Sequence, residues 1–363
     1  MIRNEQRINS SQPMRKELWI DAAEAVASVL LATVAAQWAG VAHVGWAAFS
    51  AFMVIRPNFA VSLQRARLRI LGTLAGAFAG ALMAVHFAGP GFVAGLLLGT
   101  LVFVTMYLTL LWRHPYAWLF TGLTFLMVFV EGLSVHKVTP ATFAISRIEE
   151  VLIGTLASLL IGYVASRTWR SASPCGSPCL NTPGLSWHAR GAWHSVETGF
   201  TVFWLAILPY WISGPLLIQA GVTVIAAMSV PLPALDDGRL VVFIRLLHRV
   251  LGCAMGALLA AGILLVSQHN PAWITLGLCF GVAIGRYVEN GPHTFGYVGV
   301  QFALAFLVVL VPDRYALADT VPAEHRFLGI LLGFGLLALT EVLFGGARMA
   351  LGAINRRRSL ARH

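Results

Sequence analysis

The chain has 363 residues, of which 58% are hydrophobic and only 11% charged, and its mean hydropathy is +0.77. A soluble domain carries roughly 25% charged residues, so the composition excludes a soluble globular protein and points to an all-α integral membrane protein. The net charge of +10 does not point to nucleic acid, because no basic domain stands outside the apolar runs and membrane proteins collect Arg and Lys in their cytoplasmic loops.

A hydrocarbon core needs roughly 20 apolar residues per crossing helix, and counting such runs predicts about twelve transmembrane helices. Residues 1–17 form a basic tail with no signal peptide, since the first apolar run is long enough to span rather than be cleaved. Residues 18–166 hold the first six runs. The first covers Leu18 to Ala39, the second is short (Ala42 to Ile55) and stops at Arg56-Pro57, and the third covers Leu68 to Phe87. Gly89-Pro90-Gly91 turns into the fourth and Arg113-His114-Pro115 into the fifth, and the sixth ends near Ala165. Residues 167–190 (RTWRSASPCGSPCLNTPGLSWHAR) are rich in Ser, Pro and Gly and read as a cytoplasmic connector. Residues 191–347 hold six more runs, the last from Arg326 to Phe344, and residues 348–363 form a basic cytoplasmic tail.

The two halves repeat one another. Arg65 and Arg69 lead into Gly72, Gly76 and Gly80, and Arg245 and Arg249 lead into Gly252, Gly256 and Ala260. Glu24 and Trp38 match Glu197 and Trp211, Pro57 matches Pro231, and Arg147 and Gly154 match Arg326 and Gly333. Internal repetition on this scale predicts two tandem six-helix repeats. Six is even, so both repeats take the same orientation. With the N-terminus in the cytoplasm, every Arg and Lys falls on the cytoplasmic side except Lys137, Arg147, Arg314 and Arg326. The positive-inside rule therefore places both termini in the cytoplasm.

The candidate functional residues follow from this layout. Glycines spaced by four let helix backbones approach closely, which makes Gly72, Gly76, Gly80, Gly252 and Gly256 packing residues. Arg65, Arg69, Arg245 and Arg249 form either a topology signal at the headgroups or a cytoplasmic vestibule that concentrates anions. Arg147 and Arg326 lie against the positive-inside trend at equivalent positions. A charge in the bilayer usually faces a partner or a water-filled cavity, so these two either line an anion pathway or snorkel. Gln301 is a candidate polar contact for substrate. Glu24 and Glu197, with Asp21 and His194 one turn earlier, are intramembrane groups able to couple transport to protons or to pair with arginines of neighbouring helices. Glu341 has no counterpart in the first repeat.

Cys253 and Cys279 read as packing residues. Cys175 and Cys179 with His188 fall short of the four ligands of a closed zinc site, so neither metal nor cofactor is expected. There is no GxxxxGK[ST], and no hydrolase or kinase motif, so the chain is not read as an enzyme.

The segments Trp46-Ala47-Ala48-Phe49, Arg56-Pro57, RLRILGTLAGAFAGALMA (Arg67 to Ala84) and RIEEVLIG (Arg147 to Gly154) resemble the fusaric acid resistance (FUSC) family. That family includes aromatic acid exporters and is related to aluminium-activated malate transporters. The resemblance implies a bacterial inner-membrane exporter of small organic anions, with aromatic carboxylic acids first among them. It also implies that the repeats pair about a pseudo-two-fold axis faced by Arg147 and Arg326. Periplasmic adaptor and outer-membrane efflux components are candidate partners. Many larger members carry a soluble cytoplasmic domain, whereas this chain has only its connector. The alternatives are a passive organic-anion channel and a non-transporting accessory subunit of an efflux or envelope system.

Overall fold

A computed structural model describes residues 15–87, 89–134, 139–170, 187–237, 240–268, 270–292, 294–311 and 321–360. Most of the N-terminal tail and residues 171–186 of the connector, with Cys175 and Cys179, lie outside the described residues. Among the described residues there is no strand and there are twelve α-helices. They are α1 (Arg15–Ala39), α2 (Val44–Val54), α3 (Phe59–His86), α4 (Phe92–Leu111), α5 (Pro115–Leu133), α6 (Pro140–Thr168), α7 (Ala189–Phe203), α8 (Gly214–Met228), α9 (Leu240–Ser267), α10 (Pro271–Asn290), α11 (Gly296–Leu310) and α12 (Val321–Leu360).

Local chemistry sets many of these ends. Proline opens α5, α8 and α10, where its missing N–H costs nothing. The Asn270 side chain accepts from Ala272 N at 3.0 Å and caps α10. At the end of α1, Gly40 takes φ +67 and Val41 N donates back to Ala36 O, the hydrogen bond of a glycine-terminated helix.

Eight helices are long and apolar enough to cross a membrane: α1, α3, α4, α5, α6, α9, α10 and the Glu324–Gly345 part of α12. The apolar window of α12 is only 28% buried and that of α9 only 33%. Apolar surface left this open needs lipid rather than water as its solvent. The chain is a multi-pass membrane protein. The other four helices fall short. α2 has 11 residues and α7, α8 and α11 have 15 each, about 17 and 23 Å at 1.5 Å per residue, against a core of about 30 Å. Two further boundaries differ from the sequence reading. α3 starts at Phe59, so Arg65 as well as Arg69 lies within the glycine-bearing helix. α12 continues past Phe344 to Leu360.

The helices fall into two compact units, and each draws on both halves of the chain. The first comprises residues 1–66, 149–175 and 247–323, and the second residues 67–148, 176–246 and 324–363. In the first unit α1 packs on α2 and α10, α10 packs on α11, and α11 returns to α2. Its core includes Phe52, Ile55, Leu278, Val282, Phe306 and Leu307. In the second unit α7 packs on α8 and α4, α4 packs on α5, and α5 returns to α8. There Phe125 and Phe129 stack with ring centroids 5.4 Å apart.

Glycines mark the closest approaches inside each unit. A Cβ at Gly72 or Gly76 would lie 2.4 Å from Ala117 O or Thr121 O of α5, and one at Gly80 2.9 Å from Val128 Cβ. A Cβ at Gly252 would lie 2.5 Å from Val298 O of α11, and one at Gly256 2.6 Å from Phe302 O. Each glycine therefore holds a place that any side chain would fill with a collision against the neighbouring backbone or side chain.

Candidate functional site

The first unit contains a buried charge network. Asp21 and Glu24 sit one turn apart on α1 and both are buried. An isolated carboxylate in such surroundings would cost several kcal/mol, and here each has partners. Glu24 Oε1 accepts from Trp169 Nε1 at 2.8 Å and Arg170 Nε at 2.8 Å, and Oε2 accepts from Arg170 Nη2 at 2.7 Å. This side-on, two-toothed clamp is the strong form of an arginine–carboxylate pair. Arg170 lies just past the end of α6. Burial pushes its guanidinium down, the hydrogen bond and charge of Glu24 and the charge of Asp21 more than offset that, and the group stands above the ordinary arginine value.

Arg286, near the C-terminal end of α10, is the hub and is 0% exposed. Its Nη2 donates to Phe52 O at 3.1 Å and Ile55 O at 2.7 Å. These carbonyls end α2, where the helix has unsatisfied acceptors and partial negative charge. Nη1 donates to Glu289 Oε2 at 2.7 Å, Nε lies 3.5 Å from Asp21 Oδ2, and the guanidinium carbon sits 4.7 Å from the Phe52 ring centroid. Asn290 Nδ2 donates to Asp21 Oδ2. Arg56 Nη2 pairs with Glu289 Oε1 at 3.2 Å, and its Nη1 donates to Ile55 O at 3.1 Å. Asp21, Glu24 and Glu289 thus balance Arg56, Arg170 and Arg286, and the network ties α1, α2, α10 and the end of α6 together.

In the second unit His194 on α7 is buried, and its Nε2 lies 2.8 Å from Met228 O at the end of α8. The α4 sequence carries no charged residue. Glu197 is buried, and its backbone oxygen accepts from Thr201 Oγ1 at 2.7 Å.

The remaining predicted residues are placed as follows. Arg249 is buried and donates to Gln301 Oε1 at 3.0 Å, with Tyr297 OH 3.5 Å away, so the structure brings these two predicted residues together. Arg69 is buried with its guanidinium 4.1 Å from the Phe120 ring centroid. Arg65 and Arg245 are half-buried, and Arg65 Nη1 reaches Met53 O at 3.5 Å. Arg147 and Arg326 are both buried in the second unit, and the Arg147 guanidinium lies 5.2 Å from the Phe143 ring. Glu24 and Glu197 belong to different units. An open groove of about 560 Å³ between α4 and α7, lined by Phe92, Phe103, Phe200, Phe203 and Trp204, contains none of the predicted pathway residues.

Sequence reasoning had Asp21 and Glu24 but missed Trp169, Arg170, Arg286, Glu289, Asn290 and Arg56 as their company. A signal existed in GRYVEN (Gly285 to Asn290), where Arg286 and Glu289 are one turn apart at the end of an apolar helix. Among the described residues no group of three or more His, Cys, Asp or Glu side chains could hold a metal ion.

No curated protein and no solved structure matches the chain. The profile of one family, described as fusaric acid resistance protein-like, matches residues 31–161 and 239–340. The two matched stretches fall in both halves and together cover most of the sequence, and the chain belongs to the fusaric acid resistance protein-like family.

Proposed function

We propose that this protein is an exporter of small organic anions, aromatic carboxylic acids first among them, acting in a bacterial inner membrane with both termini in the cytoplasm and driven by exchange with protons. The observation that carries the reading is membership of the fusaric acid resistance protein-like family by a multi-pass chain whose interior holds arginines and carboxylates. Charged groups within membrane helices mark substrate or ion pathways by default. Arg147 and Arg326 are the pathway cations, with Gln301 as a polar contact. Of the four vestibule arginines, Arg65 and Arg245 stay within reach of water, while Arg69 and Arg249 are buried.

The reading includes twelve spans arranged as two tandem repeats. Several pairs of contacts support it. α6 meets α2 through Gly154 against Ala47 and Ser50, and α12 meets α8 through Gly333 against Ala220 and Thr223. Arg69 faces Phe120 of α5, and Arg249 faces Gln301 of α11. The ring of contacts α1–α2–α11–α10 recurs as α7–α8–α5–α4. Short helices in corresponding positions of two halves, here α2 and α8, are the usual pointer to a transporter's working region.

The test is efflux of a panel of aromatic acids from cells lacking their own exporters, with Arg147→Gln/Arg326→Gln beside wild type and membrane abundance matched. Wild type is expected to lower accumulation of at least one acid, and the double variant to lose tenfold or more of that effect, as when about 1.4 kcal/mol or more of anion stabilisation is removed. Equal efflux by both proteins would make the two arginines structural. No efflux by either would favour an accessory subunit.

A further inference from the structure

We infer that Asp21 is the residue that takes up the coupling proton, and that Glu24 is not. The inference rests on the proton-coupled export proposed above and names the group that performs it. The two carboxylates share a helix face but not an environment. Both oxygens of Glu24 are held by short hydrogen bonds, with Arg170 at 2.7 and 2.8 Å and Trp169 at 2.8 Å. A proton on Glu24 would have to displace a charge-assisted clamp. Asp21 has no such clamp. Its two cationic neighbours are each 3.5 Å away, Arg170 Nη2 in a long hydrogen bond to Oδ1 and Arg286 Nε beside Oδ2, and its one short hydrogen bond comes from the neutral amide of Asn290.

Each of those arginines already has a nearer carboxylate. Arg170 holds Glu24 at 2.7 Å and Arg286 holds Glu289 at 2.7 Å. A proton added to Asp21 therefore leaves both pairs intact. Arg286 keeps Glu289 and the Phe52 and Ile55 carbonyls, so no guanidinium is stranded. The other charges facing this region are Glu289, which also pairs with Arg56, and exposed Glu17, one turn before Asp21 on the same face of α1. The side chains of Arg170, Arg56 and Glu289 form a partly exposed rim, at 19%, 15% and 14%, while Asp21 is buried.

The step itself is transfer of a proton from hydronium in the aqueous phase to a carboxylate oxygen of Asp21: the donor O–H bond breaks, the carboxyl O–H bond forms, and water is left. Its consequence falls on the α1–α10 contact. Asp21 links α1 to Arg286 and Asn290 of α10, beside the Trp19 and Tyr287 rings, whose centroids are 4.9 Å apart. Neutral Asp21 gives up its attraction for Arg286 and loosens that seam, while the Glu24 clamp keeps α1 joined to the end of α6.

Infrared pH-difference spectroscopy on the whole protein reconstituted in liposomes tests this without needing a substrate. On acidification wild type is expected to gain the C=O band of a buried carboxylic acid. Asp21→Asn is expected to delete that band and Glu24→Gln to leave it. If Asp21→Asn does not accumulate, Asp21→Glu, which keeps a carboxyl, is expected to shift the band. A band that survives unchanged in the Asp21 variants, or no band in wild type, overturns the inference. A band that behaves as expected in a protein that moves no acid would leave the proton site standing and sink the exporter reading.

Discussion

Replacing Arg286 with Met is expected to remove most of the folded protein from the membrane. The guanidinium is 0% exposed and serves two carbonyls of α2, Glu289 and Asp21 at once. Methionine fills much of the volume but returns none of these interactions. It takes a buried cation from Asp21 and Glu289, leaving them to Arg170 and Arg56, and it removes the guanidinium donors to Phe52 O and Ile55 O. Breaking a buried ion pair by deleting one partner costs about 3–5 kcal/mol, and an orphaned buried carbonyl about 1–3 kcal/mol more. Domain stabilities of about 5–15 kcal/mol cannot absorb much of that. Arg286→Lys should fall between, because an ammonium keeps the charge but not the planar fork that reaches Glu289 and two carbonyls together. Arg56→Met, on the water-exposed rim of the same network, should cost no more than about 1 kcal/mol. The check is the monodisperse peak of a fluorescent fusion in detergent. Wild-type levels of Arg286→Met would mean that the network does not hold the first unit together.

The second large effect is expected at Gly154. A Cβ there would stand 2.1 Å from Ala47 O and 2.8 Å from Ser50 Cβ, and the obstacle is mainly backbone of α2. Real Cβ atoms essentially never come within 3.0 Å of another heavy atom, so α6 must move. Gly154→Ala should cost at least the roughly 1–3 kcal/mol of an overpacked core, and Gly154→Leu should not yield folded protein. Gly333, whose Cβ would meet Ala220 O at 2.6 Å and Thr223 Cβ at 3.1 Å, should show a milder version. Gly335, two residues further along α12, has nothing within 4 Å. Gly335→Ala should therefore match wild type or gain up to about 1 kcal/mol of helix propensity. The order of thermal stability of the purified proteins should run Gly335→Ala, wild type, Gly333→Ala, Gly154→Ala. Wild-type stability for Gly154→Ala would contradict the packing described here.

Much of this was legible in the sequence, and what was not has identifiable causes. Hydropathy alone separates membrane helices from loops, and glycines spaced by four announce close helix contacts before any partner is known. The partners themselves were not legible. Glu24 finds Arg170 from 146 residues away, and no local pattern encodes such a pairing. The positive-inside pattern puts Arg286 with the cytoplasmic charges, yet a helix-end arginine can turn inward as readily as outward. Arg286 turns inward because α2 stops short and leaves carbonyls that need a donor. The make-up of the two units is equally hidden, because helices α1, α2, α10 and α11 assemble through packing faces that hydropathy does not order.

The central claim is that this chain by itself moves organic acids across a bilayer. The most direct measurement is release of a radiolabelled aromatic acid, benzoate first, from liposomes containing only the purified protein, with and without an acid exterior. Release faster than from protein-free liposomes, and faster still with the acid exterior, is the predicted result. Release no faster than from protein-free liposomes, for benzoate and for the rest of the acid panel, would contradict the claim.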